Sequence, residues 1–333
     1  MLILDREAVT KALPMSEAVP VLAGAMRRYS AGLVTQPLRS VLRPATDPSM
    51  LGVMPAHMAA EDGDPAYGFG VKAVLFNPGN PARGLPATVG AVLLLDPETG
   101  VPAALLDAAV LTAVRTAAVS AVATDALARP DAGDLAILGS GAQARAHLEA
   151  MAEVRPVRRV RVWSRTAANA EAFAVWARQL LPGVEVEAAA TVSAALAGAD
   201  LVCTTTASHE PLVEAADLAP GAHVNAVGAS VADARELTSA AVARCAIYVD
   251  SKESAANEAG DLRAPLAEGL IDAGRIRGEL GEVLLGRAEG RRDEREITLY
   301  KSLGLAVQDV AAGFAALRGA TERGLGTDVP FPG

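Results

Sequence analysis

The sequence predicts a doubly wound α/β domain joined to a smaller α+β domain, and three observations predict it. The 333 residues exceed what one hydrophobic core usually fills. From residue 134 onward, short aliphatic runs alternate with helix-length segments, as in a parallel sheet covered by helices. The first hundred residues are instead broken by Pro44, Pro48, Pro55, Pro65, Pro78, Pro81, Pro86 and Pro97, which marks a separate, more β-rich unit.

Taken in order, the run 91–95 ends at the turn Asp96-Pro97-Glu98-Thr99-Gly100. Residues 107–129 hold no Gly or Pro and are apolar almost all round, so they predict a long buried helix connecting the domains. Six strand-like runs follow, at 134–138, 160–163, 184–187, 199–203, 223–227 and 246–249. Between the second and third, 167–181 is rich in Ala with Phe173 and Trp176 three apart, an amphipathic crossover helix. The charged stretch 281–296 reads as a mobile surface loop. A helix over 301–317 is free to return to the first domain. The expected division is therefore 1–115 completed by 300–333, and 116–299.

Composition excludes several partners. Apolar residues make up 51% and charged residues 21%, the balance of a soluble globular chain, while 3% aromatics leave the cores aliphatic. A net charge of -9 gives no footprint for nucleic acid or an anionic membrane, and no window reads as apolar enough to span a bilayer. The basic run from Arg155 to Arg161 reads as a solvated edge. Cys203 and Cys245 lie in apolar runs and predict buried, reduced thiols; with a start unlike a secretory signal, they point to the cytoplasm. His57, His147, His209 and His223 lack metal-ligand spacing, so no metal site is expected.

Gly139-Ser140-Gly141-Ala142-Gln143-Ala144 directly follows the first strand run and opens a helix. In that context the glycines permit a tight turn and close approach to a pyrophosphate, and the helix amino end offers free N–H groups. This is a Rossmann nucleotide site. An NAD-specific site places an acid at the end of the second strand; here the strand ends Trp163-Ser164-Arg165-Thr166, with Arg165 26 residues after Gly139. A guanidinium and two hydroxyls suit a 2′-phosphate, so NADPH is favoured with NADH possible. Thr204, Thr205 and Thr206, and Gly228-Ala229-Ser230 after Val227, end the fourth and fifth runs, at the carboxyl edge where open sheets bind ligands.

The chain also resembles the ornithine cyclodeaminase/mu-crystallin family from about residue 36 to 309. The segments are Gln36-Pro37-Leu38-Arg39, Leu51-Gly52-Val53-Met54-Pro55, the Lys72 strand, Leu111-Thr112-Ala113-Val114-Arg115-Thr116-Ala117-Ala118, residues 139–144, Val227-Gly228-Ala229-Ser230, Glu236-Leu237 and Ser302-Leu303-Gly304-Leu305-Ala306. The resemblance implies a homodimer whose first domain carries substrate and interface. It implies a carboxylate-binding Arg39, a catalytic Lys72 and a second substrate-side Arg115, with Thr116, Leu303 and Gly304 beside the cofactor. Buried cations at 72 and 115 call for an anionic ligand or an acidic partner.

Ser230 stands where the cyclodeaminase branch has an Asp, and no Glu lies near Gly52. With Arg165, these departures resemble the branch that reduces cyclic ketimine carboxylates with NADPH. The expected function is reduction of Δ1-piperideine-2-carboxylate or Δ1-pyrroline-2-carboxylate, with Lys72 or a water held by Ser230 supplying the proton. Alternatives are a cyclodeaminase, an alanine-type dehydrogenase, or a non-catalytic protein holding NADPH and a small hormone-like acid.

Overall fold

The computed structural model describes residues 1–60 and 67–331, so the predicted turn proline Pro65 lies outside them. The chain forms two compact units, 1–115 with 305–333, and 116–304.

The first unit holds an eight-stranded sheet. Its order is Thr327–Asp328, Leu2–Leu4, Pro102–Asp107, Thr88–Leu95, Gly68–Phe76, Met50–Met58 and Val34–Thr35, with Ser40–Leu42 also paired to Met50–Met58. The long strands pair antiparallel. At the expected turn, Asp96 accepts hydrogen bonds from the Glu98 and Thr99 N–H groups, and Gly100 takes a φ of 74°. Period-two alternation sorts the side chains. Met54, Lys72 and Val92 are opposite one another and buried, on the face covered by helix Ala306–Arg323. A Cβ at Gly70 would come within 2.9 Å of Val310 Cγ2, so the helix rests directly on the strand there. The opposite face carries Leu42, Val53, Phe69, Val71, Leu75 and Leu93; Phe69 is 58% and Leu42 64% exposed.

In the second unit all eight strands run parallel. Their order is Glu185–Ala188, Arg159–Trp163, Asp134–Leu138, Leu201–Thr204, His223–Ala226, Thr298–Lys301, Ala246–Val249 and Ile276–Glu279. This is the doubly wound Rossmann arrangement, with its topological switch between Asp134–Leu138 and Leu201–Thr204. The crossover helix Ala167–Leu180 buries Phe173, which packs edge-on against Trp176 at 5.3 Å between ring centroids. Cys203 and Cys245 are free and buried, and burial pushes both thiols up to about 12.

Several expectations need correction. The two strands Ile276–Glu279 and Thr298–Lys301 were not foreseen, because short runs broken by Arg, Gly, Tyr and Lys lack the aliphatic signature. Consequently the last helix starts at Ala306, and the second unit ends at Gly304 rather than 299. Nor is 281–296 a free loop: it begins within helix Leu280–Leu284, and Arg291 donates to the Leu127 and Ala222 carbonyls at 2.7 and 3.1 Å. The basic run is a solvated edge only in part, at the exposed Arg158. Arg155 donates to the Thr124 and Asp125 carbonyls, closing the carboxyl end of helix Ala108–Leu127, and Arg161 is buried against the carbonyls of Ala194 and Ala197.

Lastly, Ala108–Leu127 is by length and composition apolar enough to cross a membrane, contrary to the sequence reading. It is a core helix, with 67% of its most apolar window buried, which is why it is apolar all round.

Candidate active site and nucleotide site

Strand Gly68–Phe76 aims Lys72 at the first turn of helix Ala306–Arg323, where Asp309 stands. Lys72 Nζ lies 2.7 Å from Asp309 Oδ2, and both side chains are buried. The other carboxylate oxygen accepts from Arg115 Nε at 3.0 Å, while Arg115 Nη1 donates to Gln308 Oε1 at 2.7 Å. Gln308 Nε2 is itself placed against Met26 Sδ at 3.5 Å. Gln36 Oε1 accepts the Val307 N–H at 2.9 Å, satisfying one of the helix's orphan donors. Burial, above all, lowers Lys72 to about 8; the positive charges of Arg115 and Arg39 push the same way, against the opposing pull of Asp309. The predicted Arg39 and Arg115 thus both act electrostatically on Lys72. Asp309 and Gln308 were not singled out, although the demand of two buried cations for an acid was the signal that could have found Asp309.

In the second unit, Gly139 takes a φ of 113° and its N–H donates to the Trp163 carbonyl at 2.8 Å. A Cβ on Gly139 would come within 2.7 Å of Thr205 Oγ1, whereas one on Gly141 would meet nothing within 4 Å. Gly141 is the N-cap of helix Ala142–Val154 and supplies no side-chain cap, so open space faces uncapped N–H groups. The amide oxygen of Gln143 is buried without a partner among the described residues. These features fit a dinucleotide pyrophosphate, with Ala144 fully buried where helix and strand pack. Ser140 Oγ donates to Ser164 Oγ at 3.0 Å, tying the glycine turn to the end of the second strand, where Arg165 and Thr166 are exposed. His147 holds the helix in place: its Nδ1 donates to the Gln143 carbonyl at 2.7 Å, its Nε2 accepts from Ser120, and burial lowers it to about 4.

The loops at the carboxyl edge are held by two acids. Glu236 Oε2 accepts the Thr204 hydroxyl at 2.6 Å and the Gly228 N–H at 2.7 Å; Oε1 accepts the N–H and the hydroxyl of Thr206, both at 2.7 Å. Burial raises the Glu236 carboxyl, and nearby Lys301 with these donors pulls it back. Asp250 Oδ2 accepts the N–H groups of Leu303 and Gly304, each at 2.7 Å. Thr204, expected to face the cofactor, is instead fully buried with its hydroxyl committed to Glu236. Thr205 donates its hydroxyl to the Leu138 carbonyl, across the topological switch. Val227, Ala229 and Thr116 are buried, and Ser230 is half-buried.

Comparison with known proteins shows what this arrangement belongs to. The chain is 40% identical to the ketimine reductase mu-crystallin of Mus musculus, over 88% of this chain and 89% of that one. It is similar to the solved Thermococcus litoralis Delta(1)-pyrroline-2-carboxylate reductase in complex with NADH and L-proline, with 37% identity, a TM-score of 0.93 and coverage of 99% of this chain and 100% of that one. It is also similar to an archaeal alanine dehydrogenase dimer with bound NAD, at 31% identity, a TM-score of 0.91 and 99% coverage of both. With the matching family model spanning residues 1–318, the chain belongs to the ornithine cyclodeaminase/mu-crystallin family.

Proposed function

We propose that this chain is a nicotinamide-dependent reductase that converts cyclic ketimine carboxylates, of the Δ1-piperideine-2-carboxylate or Δ1-pyrroline-2-carboxylate type, into cyclic amino acids. The observation that carries this reading is that two buried cations, Lys72 and Arg115, share the single carboxylate of Asp309. The positive charge left over accepts a substrate carboxylate, for which the planar fork of Arg115, with Arg39, is suited. The reduced nicotinamide, when bound, supplies hydride to the imine carbon. As that C–H bond forms, the C=N electron pair passes to nitrogen, which must hold a proton. Lys72, brought near neutrality by burial, delivers it directly or through a water. Ser230, in the place of a cyclodeaminase acid, provides no base for deamination.

The preferred nucleotide is NADPH, on the strength of exposed Arg165 beside Ser164 and Thr166 and the lack of an acid at that strand end. The T. litoralis relative holds NADH, so both nucleotides belong in the assay. The same reading takes the protein as a homodimer, with a second copy covering the sheet face on which the apolar side chains of Phe69, Leu75 and Leu42 are exposed.

Nucleotide oxidation is measured with Δ1-pyrroline-2-carboxylate and Δ1-piperideine-2-carboxylate, and with pyruvate plus ammonia. Turnover with the imines, abolished in Lys72→Ala, supports the reading. Turnover with pyruvate and ammonia alone replaces it with an alanine-type dehydrogenase.

A further inference from the structure

We propose that Glu236 is the positioning residue of the nicotinamide end of the nucleotide site, a buried clasp that fixes the loop after Leu201–Thr204 against the loop after His223–Ala226. The proposal rests on the reading that these two loops receive the cofactor. They leave the carboxyl ends of adjacent parallel strands on the far side of the topological switch from the glycine turn, where a dinucleotide lays its second half.

The geometry leaves the carboxylate no other work. The four donors come from the strand end and loop of one side, Thr204 and Thr206, and from Gly228 in the loop of the other, and Glu236 itself is fully buried. Gly228 fits only because it is glycine: a Cβ there would collide with the Thr206 carbonyl and with Glu236. The Gly228 backbone therefore lies directly against the first loop, its N–H also donating to the Thr204 carbonyl at 3.0 Å, with only the Glu236 carboxylate bridging the two.

The clasp has its own support. Asp261 Oδ1 accepts the N–H groups of Glu236 and Leu237 at 2.8 and 3.0 Å, and Asp261 Oδ2 pairs with Lys301 Nζ at 2.8 Å, all of it buried. Lys301 ends the strand Thr298–Lys301, next to His223–Ala226 in the sheet. A chain of charge thus runs from Lys301 through Asp261 to the backbone that carries Glu236, so the clasp is anchored to the sheet rather than to a surface loop. Glutamine at 236 cannot reproduce it, because its NH2 would face a donor where the carboxylate has an acceptor.

The test compares two ligands that differ at the nicotinamide end: the reduced dinucleotide, and its fragment ending at the diphosphoribose. In Glu236→Gln, the dissociation constant for the dinucleotide is expected to rise about tenfold or more, and kcat to fall, while the fragment's constant stays within about twofold. Thr206→Val should reproduce part of the selective loss and Thr206→Ser should restore it; this pair carries the test if Glu236→Gln does not fold. Equal losses for both ligands, or no loss for either, overturn the proposal. A wild type that binds both ligands but reduces no imine removes the proposed reaction and leaves the clasp standing.

Discussion

Asp309 Oδ2 lies 2.7 Å from Lys72 Nζ, while its other oxygen meets Arg115, so one buried carboxylate sets the charge and the geometry of both cations. If Lys72 hands over the proton, activity requires its charged form. The kcat/KM profile is expected to fall as pH rises through about 8, and Lys72→Met should lose about a hundredfold or more at neutral pH. The fall is not unfolding. A lysine lowered from 10.5 to about 8 in the folded state makes the unfolded chain bind more protons between those values, so stability from this group rises over that window. Urea titrations at pH 7.5 and 9.5, run beside the kinetics, separate the two effects. An alkaline limb unchanged in a Lys72→Arg variant would remove Lys72 from the titration.

Asp309→Asn leaves two buried cations facing a neutral amide. A loss of about 3–5 kcal/mol in unfolding free energy is expected. Since Asp309 is the group holding the lysine's value up, the alkaline limb in any folded Asp309→Asn protein should also move to lower pH. Pairing it with Lys72→Met should recover part of the stability, measurable as a double-mutant cycle by denaturant.

Much of this centre was legible beforehand, and the illegible part has a physical cause. Lys72 and Arg115 were visible as charges inside apolar runs. Asp309 lies 194 positions from Arg115, in a helix whose other buried positions read as ordinary core, and no local pattern announces a pairing at that range. Glu236 entered only within the Glu236-Leu237 segment, with no role given to it, and Asp250 was not singled out, for the same reason. Six strands were found because they are aliphatic; Thr298–Lys301 was missed because its buried Lys301 is satisfied by Asp261, a tertiary fact.

Arg165→Asp should raise the dissociation constant for NADPH by at least about tenfold and leave that for NADH within about threefold. Fluorescence titration with each nucleotide decides it, and equal losses would take Arg165 out of 2′-phosphate recognition.

Gly139 and Gly141 are expected to part company when each is changed to alanine. At Gly139, the positive φ and the approach to Thr205 should cost about 1–3 kcal/mol of stability. At Gly141 there is room, so the melting temperature should hold while nucleotide affinity drops, because the new methyl enters the space before the helix. Calorimetry and nucleotide titration on both variants give the comparison.

Phe69→Asp places a charge on the exposed apolar sheet face. Sedimentation equilibrium should show the wild type as a dimer and this variant at half that mass. A wild-type monomer would leave the face without its assigned cover.

The strand Thr298–Lys301 is the eighth of its sheet in the chain yet sits between the fifth and sixth. Until the ribosome has delivered it, Ala246–Val249 has only Ile276–Glu279 to pair with, and His223–Ala226 keeps an open edge. Helix Ala306–Arg323, which covers the Lys72 face of the other sheet, emerges later still. Both units are therefore completed only once residues 298–323 have emerged, and a nascent chain stalled before that point exposes two unfinished sheets to its neighbours.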